Sequence, residues 1–425
     1  MKRFIAMALC SLIIYMNILP LSVNAAAAPD IISETAVLID GVTGQVLYEK
    51  SAHRRMYPAS TTKILTGLLA VELGDMNDTL TYSHEAVYGI ERGSSHASIS
   101  VGENLTLEQS MYALSIESAN DAAAGIGEYL SAKTGKGLSQ LMNERAKAAG
   151  ALNSNFVNAH GLHDKEHYTT AYDLAMIAKE CIKYDTFNQI FTAKTYSIPP
   201  TNKQPQTRTF NAANWFNNGV FIYDGNFAKE DMLMSKTGWT GEARHTMVTA
   251  INHDGMVLIA VVMHSTVDDN KYADTEKLFN WALENFKKVD ISGEYIALCA
   301  DERINCDTEG KLFISKEDIV CEGTQVLLSV NDEVNNIKAE FSTPVTDSEM
   351  KTATMTATLY TGGGDGRTVM ATVNARGIIS ERSVFASTVP VAEVNMASDI
   401  AMCVIFGFLT FVAVMICDIL IGKRI

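Results

Sequence analysis

The sequence predicts a mixed α/β (α+β) domain over residues 31–288, a small β-rich domain over residues 292–395 and a transmembrane helix over residues 400–421. Three observations lead there. Strand-like segments stand at both ends of the first region with helical segments between them, so one sheet must join the first strands to the last. After about Ser292 the pattern changes to short alternating runs broken by turn residues. The stretch of 22 residues from Ile400 to Ile421 is then predominantly apolar, with Asp418 near its end, and long enough to cross a hydrocarbon core of roughly 30 Å.

Taken in order, the chain begins with Lys2 and Arg3, an apolar run from Phe4 to about Leu21, and the small residues Ala25 to Ala28. That arrangement is a secretory signal peptide over residues 1–27, cut just after Ala25 or Ala27. The alternative is an uncleaved anchor. Residues 36–39 and 45–48 flank Asp40, Gly41, Val42, Thr43 and Gly44, which predicts a β-hairpin. From Thr61 onward Ile64, Leu65, Leu68, Leu69, Val71 and Leu73 predict a helix apolar nearly all round, hence buried. Helices continue to about residue 190. Strands follow from Met232 to Thr240, over 246–251 and over 256–264, the last two around the turn residues 252–255, and a helix over 274–286.

In the β-rich region, residues 354–361 and 368–373 bracket a glycine-rich turn at 362–366. No catalytic constellation stands there, and the module reads as a spacer between the first domain and the membrane. Beyond the apolar span, Lys423 and Arg424 favour the cytoplasmic side, which leaves the body of the chain outside the cell.

A length of 425 residues suits two folded domains, and 47% hydrophobic with 20% charged residues is a globular composition. With 34 Lys and Arg against 49 Asp and Glu, the net charge of −15 excludes a nucleic-acid partner. Of seven cysteines, Cys10, Cys403 and Cys417 fall in the terminal apolar segments. Cys299, Cys306 and Cys321 leave a disulfide open, with connectivity unreadable from spacing. No pair has CxxC spacing, so neither a zinc site nor a redox motif is expected.

Ser60-Thr61-Thr62-Lys63 is an S-x-x-K sequence at a helix start, where three-residue spacing brings nucleophile and base onto one face. A lysine in an apolar helix loses its proton more easily, so Lys63 suits the role of base. Alone the pattern is weak, with on the order of two chance matches in such a chain. Ser348 to Lys351 is one such match and reads as surface loop.

A second element, Ser118-Ala119-Asn120, joins two helical runs and projects polar groups toward a cleft, unless it merely caps a helix. The third, Lys236-Thr237-Gly238, lies in a strand that can align an extended peptide, Gly238 permitting close backbone approach. A second Lys-Thr-Gly at residues 133–135 reads as a helix end.

The three elements together are the mark of penicillin-binding proteins and class A β-lactamases. The chain resembles the low-molecular-mass penicillin-binding proteins of the serine D-alanyl-D-alanine carboxypeptidase family. The matching stretches are Tyr57-Pro-Ala-Ser-Thr-Thr-Lys63, Ser118-Ala-Asn-Asp-Ala-Ala123, Asn158-Ala-His-Gly-Leu162, Tyr168-Thr-Thr-Ala-Tyr-Asp173 and Lys236-Thr-Gly238, in the family's order. The resemblance implies Ser60 as nucleophile, Lys63 as base and Ser118 as proton relay. It implies Asn120 as a contact to the substrate amide, Lys236 and Thr237 as binders of the terminal carboxylate beside Gly238, and the backbone N–H groups of Ser60 and Trp239 as oxyanion hole. The implied substrates are peptidoglycan stems ending in D-Ala-D-Ala, with β-lactams as covalent inhibitors and no cofactor or metal.

Two departures stand out. Ala243-Arg244 replaces the family's Ala-Gly after the Lys-Thr-Gly strand. Lys271 stands where many relatives carry an arginine just before the last helix, and it lacks arginine's bidentate grip on a carboxylate. A β-lactamase would add a loop glutamate, but Glu166, between Lys165 and His167, does not follow that loop's pattern. A catalytically silent wall-binding protein is the other alternative, and the complete motifs argue against it. His160 and His163 match no zinc spacing and read as a structural turn.

Overall fold

Strand β1 (Thr35–Asp40) is buried on both faces, Val37 and Ile39 in one apolar cluster and Ala36 and Leu38 in another. This follows from the two-residue period of a strand, which sends neighbouring side chains to opposite faces. The same division runs along the strand Met256–Ser265, with Ile259, Val261 and Met263 in the first cluster and Leu258, Ala260 and Val262 in the second, which explains its apolar run from Met256 to Met263. The protein is described by a computed structural model over residues 28–381, apart from 224–226, 302, 324, 348 and 363–366. The expected signal peptide (1–27) and transmembrane segment (400–421) lie outside the described residues. Among those described, no helix is long and apolar enough to cross a membrane.

The hairpin β1 and β2 (Val46–Lys50) forms as expected. A 3₁₀ turn (Ala59–Thr62) leads into α1 (Lys63–Leu73), whose residues from Lys63 to Ala70 are all buried. Helix α2 (His84–Tyr88) packs on α4 (Asn120–Thr134), and around α1 pack α3 (Leu107–Ile116), α4, α5 (Leu138–Ala148), α6 (Ala171–Cys181) and α7 (Asp185–Phe191). Two short pairs, β3 (Thr79–Thr81) with β4 (Asn104–Thr106) and β5 (Thr195–Ile198) with β6 (Arg208–Asn211), complete this layer. The chain then returns to the sheet as β7 (Met232–Thr240), β8 (Arg244–His253) and β9 (Met256–Ser265).

The sheet order is β2-β1-β9-β8-β7, antiparallel throughout, so its first and last segments do meet. Helix α8 (Asp268–Asn285) covers the face opposite the helical layer with Leu278, Phe279 and Ala282. It starts at Asp268 rather than Asp274 as expected. Its first turn is acidic, which suits the positive end of the helix dipole but gives no apolar periodicity to read.

Strand β10 (Phe286–Asp290) follows α8 directly and pairs with the strand Gln325–Ser329. The remaining strands are β11 (Arg303–Asn305), β12 (Leu312–Ser315), β13 (Ile319–Glu322), β14 (Gln325–Ser329), β15 (Lys338–Phe341), β16 (Val345–Asp347), β17 (Thr352–Thr361), β18 (Thr368–Ile378) and β19 (Ser380–Glu381). They enclose a separate apolar core in which Ala353, Met355, Ala357 and Leu359 of β17 are buried and alternate with threonines. A short helix, α9 (Gly293–Leu298), stands within the region expected to be β-rich, and the Ser292 side chain caps it at Tyr295 N. Cys299, Cys306 and Cys321 are free thiols, so the disulfide left open by the sequence does not form among them.

Candidate active site

The site lies where the start of α1 meets the edge strand β7. The Pro58 carbonyl accepts from Thr61 Oγ1 at 2.7 Å and from Thr246 Oγ1 of β8 at 3.0 Å, which ties the turn to the sheet. Ala59 takes a left-handed φ of 50°, a costly conformation for a residue with a Cβ. Ser60 then sits in the 3₁₀ turn and Lys63 is the first α-helical residue, whereas the sequence placed both within the helix start. The 3₁₀ repeat sets i and i+3 side chains one above the other, which sharpens the expected juxtaposition.

Lys63 Nζ lies 2.8 Å from Ser60 Oγ, 2.7 Å from Asn120 Oδ1 and 2.8 Å from the His160 carbonyl oxygen. Burial pushes the Lys63 ammonium well below the usual lysine range, the charge of Lys236 pushes it further, and Asp121 opposes. A neutral amine has two hydrogens and one lone pair. Asn120 Oδ1 and the His160 carbonyl can only accept, so they take the hydrogens and turn the lone pair toward the Ser60 hydroxyl.

Ser118 occupies the α3–α4 connection with φ of 56°. The N-cap of α4 is Ala119, with no side-chain cap, so neither Ser118 nor Asn120 serves the capping role. Ser118 Oγ accepts from Lys236 Nζ at 3.0 Å, and Lys236 Nζ also donates to the Thr237 carbonyl at 2.9 Å. Burial lowers Lys236 to about 7. On the same strand, a Cβ at Gly238 would fall 2.8 Å from Ser60 N and 2.6 Å from Thr246 Oγ1. Only glycine lets β7 approach the nucleophile this closely.

Ser60 and Trp239 line two adjoining cavities. One, of about 360 Å³, is walled by Ser118, Lys236, Thr237, His245, Asp268 and Lys271. The other, of about 600 Å³, is walled by Asn120, His163, Thr240 and Glu242 among others. All eight residues singled out from the sequence, Ser60, Lys63, Ser118, Asn120, Lys236, Thr237, Gly238 and Trp239, are thus gathered at one place. The Trp239 side chain is exposed.

The sequence reading missed two supports. Asp121 is buried, and its carboxylate accepts from the backbone N–H groups of Ala97 and Ile99, while Asn120 N donates to the Ser95 carbonyl at 2.9 Å. This fixes the loop that forms one rim of the cleft. His167 Nδ1 accepts from Val157 N at 3.0 Å, so its hydrogen resides on Nε2, which donates to Thr62 Oγ1 at 2.8 Å. Burial lowers His167 to about 4 and His160 to about 3, keeping both neutral at pH 7. The turn at residues 158–162 packs against the start of the nucleophile's turn, where a Cβ on Gly161 (φ 84°) would lie 1.8 Å from the Ala59 carbonyl oxygen.

Other residues fall differently. Lys271 is not before the last helix but in its first turn, 3% exposed, with Nζ on Asp268. Arg244 is exposed at φ 55° beyond the β7–β8 turn. Glu166 lines a different cavity from those at Ser60.

Residues 22–267 match the model of the D-alanyl-D-alanine carboxypeptidase family. The chain is 32% identical over 261 residues to D-alanyl-D-alanine carboxypeptidase DacF of Bacillus subtilis, covering 60% of this chain and 63% of that protein. It is 28% identical over 274 residues to DacC of Escherichia coli, covering 62% and 64%. The matches thus span under two thirds of the length of these curated relatives. The crystal structure of the Streptomyces K15 DD-transpeptidase superposes with a TM-score of 0.55 at 25% identity, covering 61% of this chain and all of that one. The chain belongs to the D-alanyl-D-alanine carboxypeptidase family.

Proposed function

We propose that this chain is a serine D-alanyl-D-alanine carboxypeptidase that shortens peptidoglycan pentapeptide stems by their terminal D-alanine. The observation that carries this reading is the 2.8 Å approach of Lys63 Nζ to Ser60 Oγ, on the wall of a cavity that also holds Lys236. Neutral Lys63 takes the Ser60 proton as Oγ attacks the carbonyl between the two D-alanines. The backbone N–H groups of Ser60 and Trp239 receive the oxyanion, a role supported by the close approach of Gly238 to Ser60 N. As the C–N bond breaks, the leaving nitrogen needs a proton. The Ser118 hydroxyl, whose Oγ accepts from Lys236 Nζ, gives its hydrogen to the leaving nitrogen, and the proton that Lys63 took from Ser60 passes to Ser118 Oγ, which leaves Lys63 neutral again. Lys236 and Thr237 hold the terminal carboxylate, and Asn120 the substrate amide. Water then attacks the ester and restores Ser60.

In the same reading, residues 31–288 form the catalytic domain and 292–395 a β-rich domain. Residues 1–27 direct secretion, and 400–421 anchor the chain with its catalytic domain outside the cytoplasm. β-Lactams acylate Ser60 covalently. The test is release of D-alanine by the full chain from a peptide ending in D-Ala-D-Ala, beside Ser60→Ala. Release by the parent alone is expected; equal release by S60A contradicts the assignment.

A further inference from the structure

The 360 Å³ cavity is lined by a second lysine that is already engaged. Lys271 has a side chain only 4% exposed, and its Nζ contacts Asp268 Oδ1, with the Asp268 carbonyl oxygen 3.2 Å away. His245 Nδ1 lies 2.8 Å from the same Asp268 Oδ1, and His245 is the cross-strand partner of Trp239 in β7. Asp268 itself is 52% exposed. One carboxylate oxygen therefore sits between the two basic side chains that line the pocket with Lys236.

We infer that Asp268 is an internal rival of the substrate's terminal carboxylate, a specificity-determining residue that holds Lys271 in the empty site and lowers the cavity's preference for anionic C-termini. The inference rests on the reading of the site as a D-Ala-D-Ala pocket. Without Asp268 the pocket would present two ammonium groups, Lys236 and Lys271, to one incoming carboxylate. With Asp268 one positive charge is already matched, and Lys271 must loosen one contact to make another. Lysine makes this exchange easy, because a flexible ammonium turns between acceptors where a guanidinium fork would hold both oxygens of Asp268 in a fixed plane. The departure Lys271 and its partner Asp268 thus form one device: a peptide carboxylate still binds, but with a weaker advantage over an uncharged C-terminus.

The experiment compares two acyl donors with the full chain, a peptide ending in D-Ala-D-Ala and the same peptide as its C-terminal amide, following kcat and KM for each. The asparagine of D268N retains a carbonyl oxygen for Lys271 and His245 while removing the charge, so the local hydrogen bonds survive. D268N is expected to raise the carboxylate-to-amide ratio of kcat/KM by roughly twofold to fivefold, the upper part of the range for a partly exposed ion pair. The gain should appear as a lower KM for the carboxylate donor. In a Lys271→Ala background the D268N gain should disappear, because the rival then has nothing to compete for. An unchanged or lower ratio in D268N, or a gain that persists in full without Lys271, overturns the inference. Should D268N fail to fold, Asp268→Ser carries the same comparison. A parent that cleaves neither donor removes the underlying reading and the inference with it, whereas an active parent with an unresponsive ratio removes the inference alone.

Discussion

Lys-Thr-Gly occurs twice in this chain, at residues 133–135 and at residues 236–238. In the first, Lys133 lies on the last turn of α4 and bonds Asp78 at 2.7 Å in solvent, and Gly135 ends the helix at φ 70°. That pairing raises the Lys133 pKa above the ordinary lysine value, mainly through the hydrogen bond from Lys133 to Asp78. In the second, Lys236 is 3% exposed on an edge strand, bonds no carboxylate among the described residues, and is lowered to about 7 by burial. The tripeptide is the same, and its chemistry is opposite. A motif acquires function from the dielectric and the partners that the fold places around it, and spacing alone does not supply these.

The sharpest test of that contrast is the other buried lysine. Lys63→Ala should lower the rate of Ser60 acylation by roughly 10²- to 10⁴-fold, the span of a lost general base. Stopped-flow acylation by a chromogenic β-lactam measures it, and a loss under tenfold would leave Ser60 activated by something else. Lys236→Ala should cost roughly 10- to 100-fold in kcat/KM for a D-Ala-D-Ala peptide, as expected for a buried charged hydrogen bond to a carboxylate.

Lys236→Ala should also shift the pH profile. The charge of Lys236 lowers the Lys63 pKa, so removing it must raise that pKa and move the acid limb of acylation to higher pH. An acid limb that stays in place would dissociate the two lysines. Stability carries the same signature. The unfolded chain keeps its Lys236 proton up to the ordinary lysine range, while the folded chain loses it near 7. Between those values the unfolded state binds more protons, so folding stability rises with pH, by at most about 1.4 kcal/mol per pH unit for this group. Urea titrations from pH 7 to 10 should show the rise in the parent and a smaller one in Lys236→Met. The smallest effect belongs to Lys133→Ala, for which peptidase activity should stay within about twofold of the parent.

Much of this was legible in the sequence because local pattern carried it. The buried run of α1, the hairpin, the closing strands and the Ser60–Lys63 spacing all follow from residues within a few positions of one another. What escaped depends on distant contacts. Asp121 reads as an ordinary first-turn acid of α4, and only the fold brings the N–H groups of Ala97 and Ile99 to it. His167 belongs to the site through Thr62, 105 positions away. The pairing of His245 with Asp268 required the β8 register and the true start of α8, which an acidic first turn hides from any apolar count. Helix α9 escaped because it is too short for its periodicity to register.

The most direct measurement is the mass and position of a penicillin adduct. The full chain is incubated with benzylpenicillin, its intact mass is recorded, and the modified peptide is mapped beside Ser60→Ala. One adduct per chain on the peptide containing Ser60, absent from S60A, is the predicted result. An adduct on another residue, or none on a folded parent, would contradict the assignment of Ser60 as nucleophile.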